Sequence, residues 1–321
     1  MKLVKIDSKR VTEEEAREER TWNSYFHTAE ETPGLIDPIE APYSYSHWLS
    51  LIAESQGISL SLVRIVILSR SQARDLLEAS KNSLITGEIS RAHREDLNEN
   101  VKPKLLTLRF PPEGLFLRLD TCSTKDGVQT GRGTALHSAD EILLRLTTSA
   151  RAMRAIQKSI EDEEVTGVQL FFLPHNPRMD SKREYRVFCP PPAGVIAAVS
   201  QYQWHQPSMF SDRPAAELNE IVGKIMGGIW KIHGNILEEA QIRREDKLDE
   251  LLLSQGFSFD VFYDEDTEQC SLIELNVFGA RSGLGSCLFH WIRDLDVLYG
   301  KGSVNPDFGT TRTDVEFRIS V

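Results

Sequence analysis

Phe257-Ser258-Phe259-Asp260-Val261-Phe262-Tyr263 and Cys270-Ser271-Leu272-Ile273-Glu274-Leu275-Asn276-Val277-Phe278-Gly279 are two apolar runs on either side of a charged segment, residues 264–269. Two such runs around a polar turn are typical of a β-hairpin. Because successive side chains of a strand point to opposite faces, Glu274 and Asn276 share one face of the second strand. Asp260 shares the more polar face of the first strand with Ser258. The pattern therefore predicts that Asp260, Glu274 and Asn276 meet on one surface.

These three side chains offer the ligands that a hard cation prefers. Two carboxylates and an amide oxygen suit Mg²⁺, whose coordination is usually completed by phosphate oxygens. The hairpin therefore predicts a magnesium site at Asp260, Glu274 and Asn276. An edge hairpin with a solvated polar face is the alternative that the same pattern allows.

The composition describes an ordinary globular protein. The chain has 321 residues, of which 40% are hydrophobic and 26% charged, and its formal net charge is −11. This length is enough for two or three lobes. No apolar run reaches the roughly 18 residues of a membrane span, and the acidic charge argues against a broad nucleic-acid-binding surface. We therefore expect neither a membrane nor DNA as a partner.

The termini and the cysteines indicate a cytoplasmic protein. Residues 1–20 are charged and lack the apolar region of an export signal. Four cysteines lie far apart without CxxC spacing: Cys122, Cys189, Cys270 and Cys287. Reduced, buried thiols are the usual state of such cysteines in the cytoplasm.

Outside the hairpin, helices and strands alternate along the chain. Helices are predicted for residues 43–56, 71–80, 138–146, 148–161 and 214–238, and strands for 62–68, 115–120, 168–173, 183–189, 195–202 and 315–319. The polar residues 81–102 are predicted to form a loop, and residues 286–299 a last helical segment. This order predicts an α+β fold with a mostly antiparallel sheet in its second half.

The same pattern divides the chain into four parts. We expect an N-terminal arm (1–40), an N-terminal α/β lobe (41–165), a C-terminal lobe with the acidic hairpin (166–300) and a tail (301–321). Within the first lobe, the strand that ends at Asp120 leads into a small, polar, glycine-rich loop (118–134), of the kind that approaches ligands closely. An ordinary turn is the alternative for this loop.

Several short blocks occur in an order and at a spacing that carry a resemblance. They are Tyr43-Ser44-Tyr45-Ser46-His47-Trp48, Arg118-Leu119-Asp120-Thr121-Cys122-Ser123-Thr124-Lys125-Asp126, Glu184-Tyr185-Arg186-Val187-Phe188, Val199-Ser200-Gln201, Phe259-Asp260-Val261 and Ile273-Glu274-Leu275-Asn276-Val277-Phe278-Gly279. Over residues 43–295 the chain thereby resembles the cell division cycle protein 123 family. The resemblance implies an ATP-grasp-like α+β fold with mixed and antiparallel sheets and flanking helices.

The resemblance also implies ligands and roles. Family members bind magnesium beside ATP, which assigns the metal to Asp260, Glu274 and Asn276, and they assemble translation initiation factor 2 as chaperones. Arg186 would face the phosphates. The ligand-binding positions implied by the matching blocks, with Arg281 from the glycine-rich segment that follows them, are Arg118, Asp120, Ser123, Lys125, Asp126, Arg186, Gln201 and Arg281.

Two departures from the family pattern concern ATP. Arg118 and His175 stand where the family has lysines. A lysine is a compact charge that fits a phosphate, whereas arginine is a broad fork and histidine is mostly neutral at pH 7. We therefore expect a specialised relative that kept the fold and altered the ATP site.

A pocket that lost its lysines and kept its acids suits a cationic substrate. The chain is also similar to fungal arginine-containing cyclodipeptide synthases, enzymes of secondary metabolism that draw activated amino acids from aminoacyl-tRNA. That resemblance implies peptide-bond formation, with four candidate proton-transfer groups: Glu274, Asp260, His175 and His205. Lys125 and Arg132 would meet tRNA phosphates. The alternatives are an ATP- and magnesium-binding chaperone of translation initiation factor 2, and an inert relative that binds a partner.

Overall fold

The computed structural model describes residues 1–131, 133–162, 165–192, 195–243, 247–300 and 315–321. Arg132 of the glycine-rich loop (118–134) and residues 301–314 of the expected tail therefore lie outside the described residues. The chain divides into two compact units. Unit 1 comprises Met1–Gln56 and Arg178–Val321, and unit 2 comprises Gly57–Pro177. The four-part division expected from the sequence stays a prediction.

The strands are β1 (Lys2–Ile6), β2 (Arg64–Ser69), β3 (Leu115–Leu119), β4 (Gly167–Pro174), β5 (Glu184–Cys189), β6 (Ala198–Gln201), β7 (Phe257–Asp264), β8 (Gln269–Val277) and β9 (Glu316–Ser320). The α-helices are α1 (Ser8–Ala16), α2 (Tyr45–Ser55), α3 (Arg70–Thr86), α4 (Arg91–Asn100), α5 (Lys102–Leu105), α6 (Ala139–Thr148), α7 (Ala150–Glu161), α8 (Ala215–Ile242), α9 (Lys247–Gln255) and α10 (Leu295–Leu298). Short 3₁₀ turns occur at Ala41–Tyr43, Leu60–Leu62 and Ser181–Arg183.

Unit 2 is a three-stranded antiparallel sheet with helices packed on one face. The strand order is β2-β4-β3, and the core between this sheet and helices α3–α7 is mainly aliphatic, with Phe172 among its members. The prediction of a loop over residues 81–102 is wrong. Helix α3 runs on to Thr86, and Ser90 caps a further helix, α4. Leu97 is the buried residue of α4, so this helix has no apolar stripe for a periodicity search to detect.

Unit 1 is built on a six-stranded mixed sheet in the order β1-β9-β6-β5-β7-β8. The four strands from β6 to β8 pair antiparallel, as predicted. In contrast, β9 pairs in parallel with both β1 and β6, so the C-terminal strand lies inside the sheet. The charged N-terminal segment supplies β1. The α+β fold class, with mixed and antiparallel sheets and flanking helices, is confirmed.

Residues 286–299 are mostly irregular, so the predicted last helix is wrong except at α10. The first part of this segment also bonds to N-terminal residues. Asn23 N–H donates to the carbonyls of Cys287 (2.8 Å) and Phe289 (3.1 Å), and Ser286 N–H donates to Ser24 O (3.3 Å). These long-range bonds satisfy backbone groups that a helix would pair locally.

All four cysteines are free thiols, and three of them are buried. Cys270, which is partly buried, lies against α8 and donates weakly to Ile225 O at 3.6 Å. No helix among the described residues has the length and apolar character needed to cross a bilayer.

Helix α8 passes β8 so closely that one of its glycines has no room for a side chain. A Cβ on Gly228 would lie 2.5 Å from Cys270 Sγ and 2.6 Å from its Cβ. A Cβ on the neighbouring Gly227 would meet nothing within 4 Å. Of the two adjacent glycines in α8, Gly228 is therefore required by packing and Gly227 is not.

These two glycines predict opposite effects of the same substitution. We expect Gly228→Ala to lower the free energy of unfolding by about 1–3 kcal/mol, because the added methyl group overpacks the contact with Cys270. Gly227→Ala should raise it by about 0.5–1 kcal/mol, because alanine loses less backbone entropy in a helix. Urea unfolding of both variants tests this, and equal effects would contradict the packing of α8 on β8.

Candidate functional site

The hairpin of β7 and β8 brings the three predicted metal ligands together. Asp260 lies directly opposite Glu274 in the ladder, and Ser258 lies opposite Asn276. A bulge follows Asp260. Asn276 Nδ2 donates to Asp260 Oδ2 at 3.2 Å. The prediction that Asp260, Glu274 and Asn276 share one face is therefore confirmed, while the metal role of that face stays a prediction.

A buried ion pair joins this face to the next strand. Arg186 on β5 lies opposite Asp260 on β7. Its Nε donates to Asp260 Oδ1 and its Nη2 to Oδ2, both at 2.8 Å, and Nη1 donates to Gly285 O at 2.8 Å. The guanidinium carbon also lies 4.9 Å from the ring centre of Tyr202. Most N–H groups of the Arg186 guanidinium, which was expected to face phosphates, therefore donate to protein groups.

The electrostatics of this face are dominated by burial. Asp260 is 1% exposed. Burial raises the pKa of Asp260 to about 6; Arg186 opposes the shift, and the carboxylates of Glu274 and Glu184 add to it. Although burial disfavours a charged Arg186, the adjacent Asp260 raises the pKa of Arg186 well above its ordinary value. The face therefore carries more negative charge than Arg186 compensates.

These residues fit a divalent cation. A carboxylate can accept about four hydrogen bonds, and Asp260 accepts three, from Arg186 and Asn276. Glu274 is partly exposed beside it. Among the described residues, no group of three or more His, Cys, Asp or Glu side chains is arranged to hold a metal. A cation would therefore take Asn276 Oδ1 as its third protein ligand, and its charge would oppose the effects of burial and of the nearby Glu274 carboxylate that raise the pKa of Asp260.

Gln201, a predicted ligand-binding residue of unit 1, is hydrogen-bonded to protein groups. Gln201 Nε2 donates to the carbonyls of Gln203 (2.8 Å) and Gln206 (2.7 Å), and its Oε1 accepts from Ser320 N–H at 2.9 Å. Gln201 thus ties the loop after β6 to strand β9. Its ligand-binding role stays a prediction.

Arg281 and His205 differ in their surroundings. Arg281 forms a two-point ion pair with Asp37, with N···O distances of 2.6 and 2.9 Å. Two points of contact occupy one edge of its fork. His205 is exposed and lines a cavity of about 210 Å³ beside Arg186.

In unit 2, the predicted residues lie along β3 and the loop after it. Arg118 is 4% exposed and bridges to Ser123 across the turn. Asp126 accepts from Ser149 Oγ at 2.6 Å and from Arg151 N–H at 3.1 Å. Asp126 therefore caps the start of α7. The remaining two predicted residues of this loop are Asp120 and Lys125, which are partly buried.

His175 follows β4 and is poorly suited to act as a cation. Its Nε2 lies 3.0 Å from Thr134 Oγ1. Burial lowers the pKa of His175, and the charges of His137 and Arg145 lower it further. His175 is therefore neutral at pH 7.

Sequence reasoning missed Arg145, whose hydrogen bonds hold the glycine-rich loop (118–134) in place. This residue of α6 is 2% exposed, and it donates to Val128 O (3.1 Å) and Gly133 O (2.9 Å). A Cβ on Gly127 would lie 2.5 Å from Arg145 O. The available signal was a single arginine within the apolar run 142–146.

Comparison with known proteins supports the fold. No family model matches the chain, and no curated protein matches it. The solved structure of Cdc123 from Schizosaccharomyces pombe is 17% identical, covers 86% of this chain and 95% of that chain, and gives a TM-score of 0.51. The structure of a C-terminally truncated form of that protein is also 17% identical. It covers 87% of this chain and 95% of that chain, with a TM-score of 0.52. The fold is Cdc123-like.

A third solved structure is too distant to support an argument. D-Alanine-D-alanine ligase from Helicobacter pylori is 13% identical over 80% of this chain and 57% of that chain, with a TM-score of 0.34. The Cdc123 structures nevertheless confirm the predicted ATP-grasp-like fold class. The resemblance to cyclodipeptide synthases gains no support from any of these structures.

The raised pKa of Asp260 predicts a measurable titration. With aspartate carboxyl carbons labelled with ¹³C, and the signal assigned through Asp260→Asn, we expect a midpoint near pH 6. Glu274→Gln should lower that midpoint because it removes a nearby like charge, whereas Glu268→Gln, at the exposed turn of the same hairpin, should leave it unchanged.

The raised pKa of Asp260 also determines the direction in which stability changes with pH. The folded protein holds the Asp260 proton up to about pH 6, whereas an unfolded chain releases it near pH 4. The contribution of Asp260 to the free energy of unfolding therefore falls as pH rises between about 4 and 6. A midpoint near pH 4 would contradict the electrostatic description of this face.

Proposed function

We propose that this protein is an assembly chaperone of the Cdc123 type, which binds a subunit of translation initiation factor 2 and holds ATP with magnesium as a ligand. The observation that carries the proposal is the face formed by Asp260, Glu274 and Asn276 on a Cdc123-like fold. Magnesium would bind these three side chains, and when bound it would neutralise phosphate charge. The Cdc123 likeness extends over most of both chains, which supports a similar use of the fold.

Binding of ATP should be weak because Arg186, the basic group expected at its phosphates in unit 1, is largely committed to Asp260 and Gly285. The metal ligands therefore have to provide most of the affinity. Magnesium bridged to phosphate oxygens is the main attraction left for the nucleotide.

Aminoacyl transfer, the first function predicted from the sequence, is not part of this proposal. The similar structures are Cdc123 proteins, and no contact among the described residues points to an aminoacyl group or to tRNA. The chaperone alternative fits the Cdc123 likeness better. The proton-transfer roles of Glu274, Asp260, His175 and His205 have no place in a chaperone.

Calorimetric titration with ATP and magnesium tests the ligand. We expect saturable binding that requires magnesium and weakens at least tenfold in Glu274→Gln, which removes one metal ligand. Glu268→Gln, which removes an exposed carboxylate from the same hairpin, should bind as the parent protein does. Binding that is equal in Glu274→Gln and the parent protein would contradict the metal site.

Co-migration with purified subunits of translation initiation factor 2 tests the partner. We expect one subunit to elute with this protein from a size-exclusion column, because assembly by Cdc123 proteins requires direct contact with their client. Absence of a complex with every subunit, in the presence of ATP and magnesium, would overturn the proposed partner. That result would leave the ligand measurements unaffected.

A further inference from the structure

A small cavity in unit 1 is not used by the proposed function. It has a volume of about 210 Å³, and its walls include Asn23, Arg186, Tyr202, Trp204, His205 and Cys287. No aspartate or glutamate is among its lining residues. Several of the lining groups can donate hydrogen bonds, although the carboxylates of Asp260, Glu274 and Glu184 are near enough to interact with Tyr202.

Several of these donors make no hydrogen bond to the described residues. Arg186 has five N–H groups, of which three are used by Asp260 and Gly285, so two remain. The hydroxyl of Tyr202 and the indole N–H of Trp204 have no partner in the described part of the chain. Asn23 accepts from Cys287 N–H with its oxygen at 3.0 Å, which leaves its amide N–H groups as donors.

The cavity also has flat walls. The rings of Trp204 and His205 pack edge to face, with centroids 5.5 Å apart and planes at 77°. The ring of Tyr202 is held in place by Arg186. Aromatic walls of this kind bury flat apolar groups with little loss of conformational entropy.

The thiol group in the wall of the cavity is neutral. Burial raises the pKa of Cys287 to about 12, so this thiol stays protonated and adds no negative charge. Hydrogen bonds between ionised acceptors and N–H or O–H donors are about twice as strong as neutral ones. A cavity that combines several donors with no carboxylate therefore favours an anionic acceptor over a neutral one.

We propose that this cavity binds a carboxylate that is attached to a flat or aromatic group. The carboxylate accepts from Arg186, Tyr202 and Asn23, and the flat group packs against Trp204 and His205. Because Arg186 is already paired with Asp260, selectivity for the carboxylate depends on the remaining N–H groups of Arg186, the Tyr202 hydroxyl and the Asn23 amide. The ligand is either a small free acid or the C-terminus of a polypeptide, which present the same chemistry.

The test uses the indole ¹H–¹⁵N signals of the full chain, without ATP or magnesium. The sequence has five tryptophans, and Trp204→Phe assigns the signal at the cavity. We expect benzoate to shift the Trp204 signal in a saturable way, and benzamide, its neutral counterpart, to bind about tenfold more weakly. Trp230, which is exposed on α8, serves as the control signal and should not move.

A conservative variant separates recognition from folding. Tyr202→Phe removes one hydroxyl and keeps the ring, so we expect unchanged indole signals in the free protein and about fivefold weaker binding of benzoate. The proposal is overturned if benzoate fails to shift Trp204, if benzamide binds equally well, or if Tyr202→Phe binds benzoate as tightly as the parent protein.

A second pair of probes distinguishes the two sources of the carboxylate. N-acetylphenylalanine mimics a polypeptide C-terminus, and N-acetylphenylalaninamide is the matching probe without the carboxylate charge. Tighter binding of N-acetylphenylalanine than of benzoate supports a C-terminus as the ligand, and the reverse order supports a small free acid. Because these titrations contain neither nucleotide nor metal, their failure would not affect the proposed function, and failure of ATP binding would not affect them.

Discussion

The buried ion pair between Arg186 and Asp260 is the constraint on which the rest of unit 1 depends. Both residues are at most 5% exposed, and removing two charges from water costs several kcal/mol for each ion. The cost is offset because the pair is bidentate and because Asn276 and Gly285 O satisfy further hydrogen-bonding groups. Losing either partner would leave an uncompensated charge inside the sheet. The pair therefore fixes the pairing of β5 with β7 and the position of the proposed metal ligands.

The same face extends across the sheet to the C-terminus. By register, Arg318, Ser200, Arg186, Asp260 and Glu274 form one row over five strands. Arg318 Nη1 donates to Leu288 O at 3.0 Å, and Ser200 Oγ accepts from Leu288 N–H at 3.0 Å. Arg186 binds the same loop at Gly285. The row thus holds residues 285–288 against one part of the face, where Gly285 and Cys287 also line the cavity.

Local patterns in the sequence predicted the parts of this site that depend on local geometry. Alternation placed Asp260, Glu274 and Asn276 on one face, because side-chain direction in a hairpin follows from sequence position alone. All six residues of β5 are buried, which the alternation of charged and apolar residues in this strand does not indicate, because burial on both faces depends on packing with distant parts of the chain. The position of β9 between β1 and β6 depends on pairing between distant parts of the chain, which no local pattern reveals. The commitment of Arg186 to Asp260 was missed for the same reason.

A double-mutant cycle on the ion pair tests the central claim most directly. Urea unfolding would be measured for the parent protein, Arg186→Met, Asp260→Leu and the double variant. We predict that each single substitution lowers the free energy of unfolding by about 3–5 kcal/mol, because it leaves one buried charge unpaired. The double variant should lose much less than the sum, since both charges are gone. Small single effects, or losses that simply add, would contradict the claim that this pair organises the face.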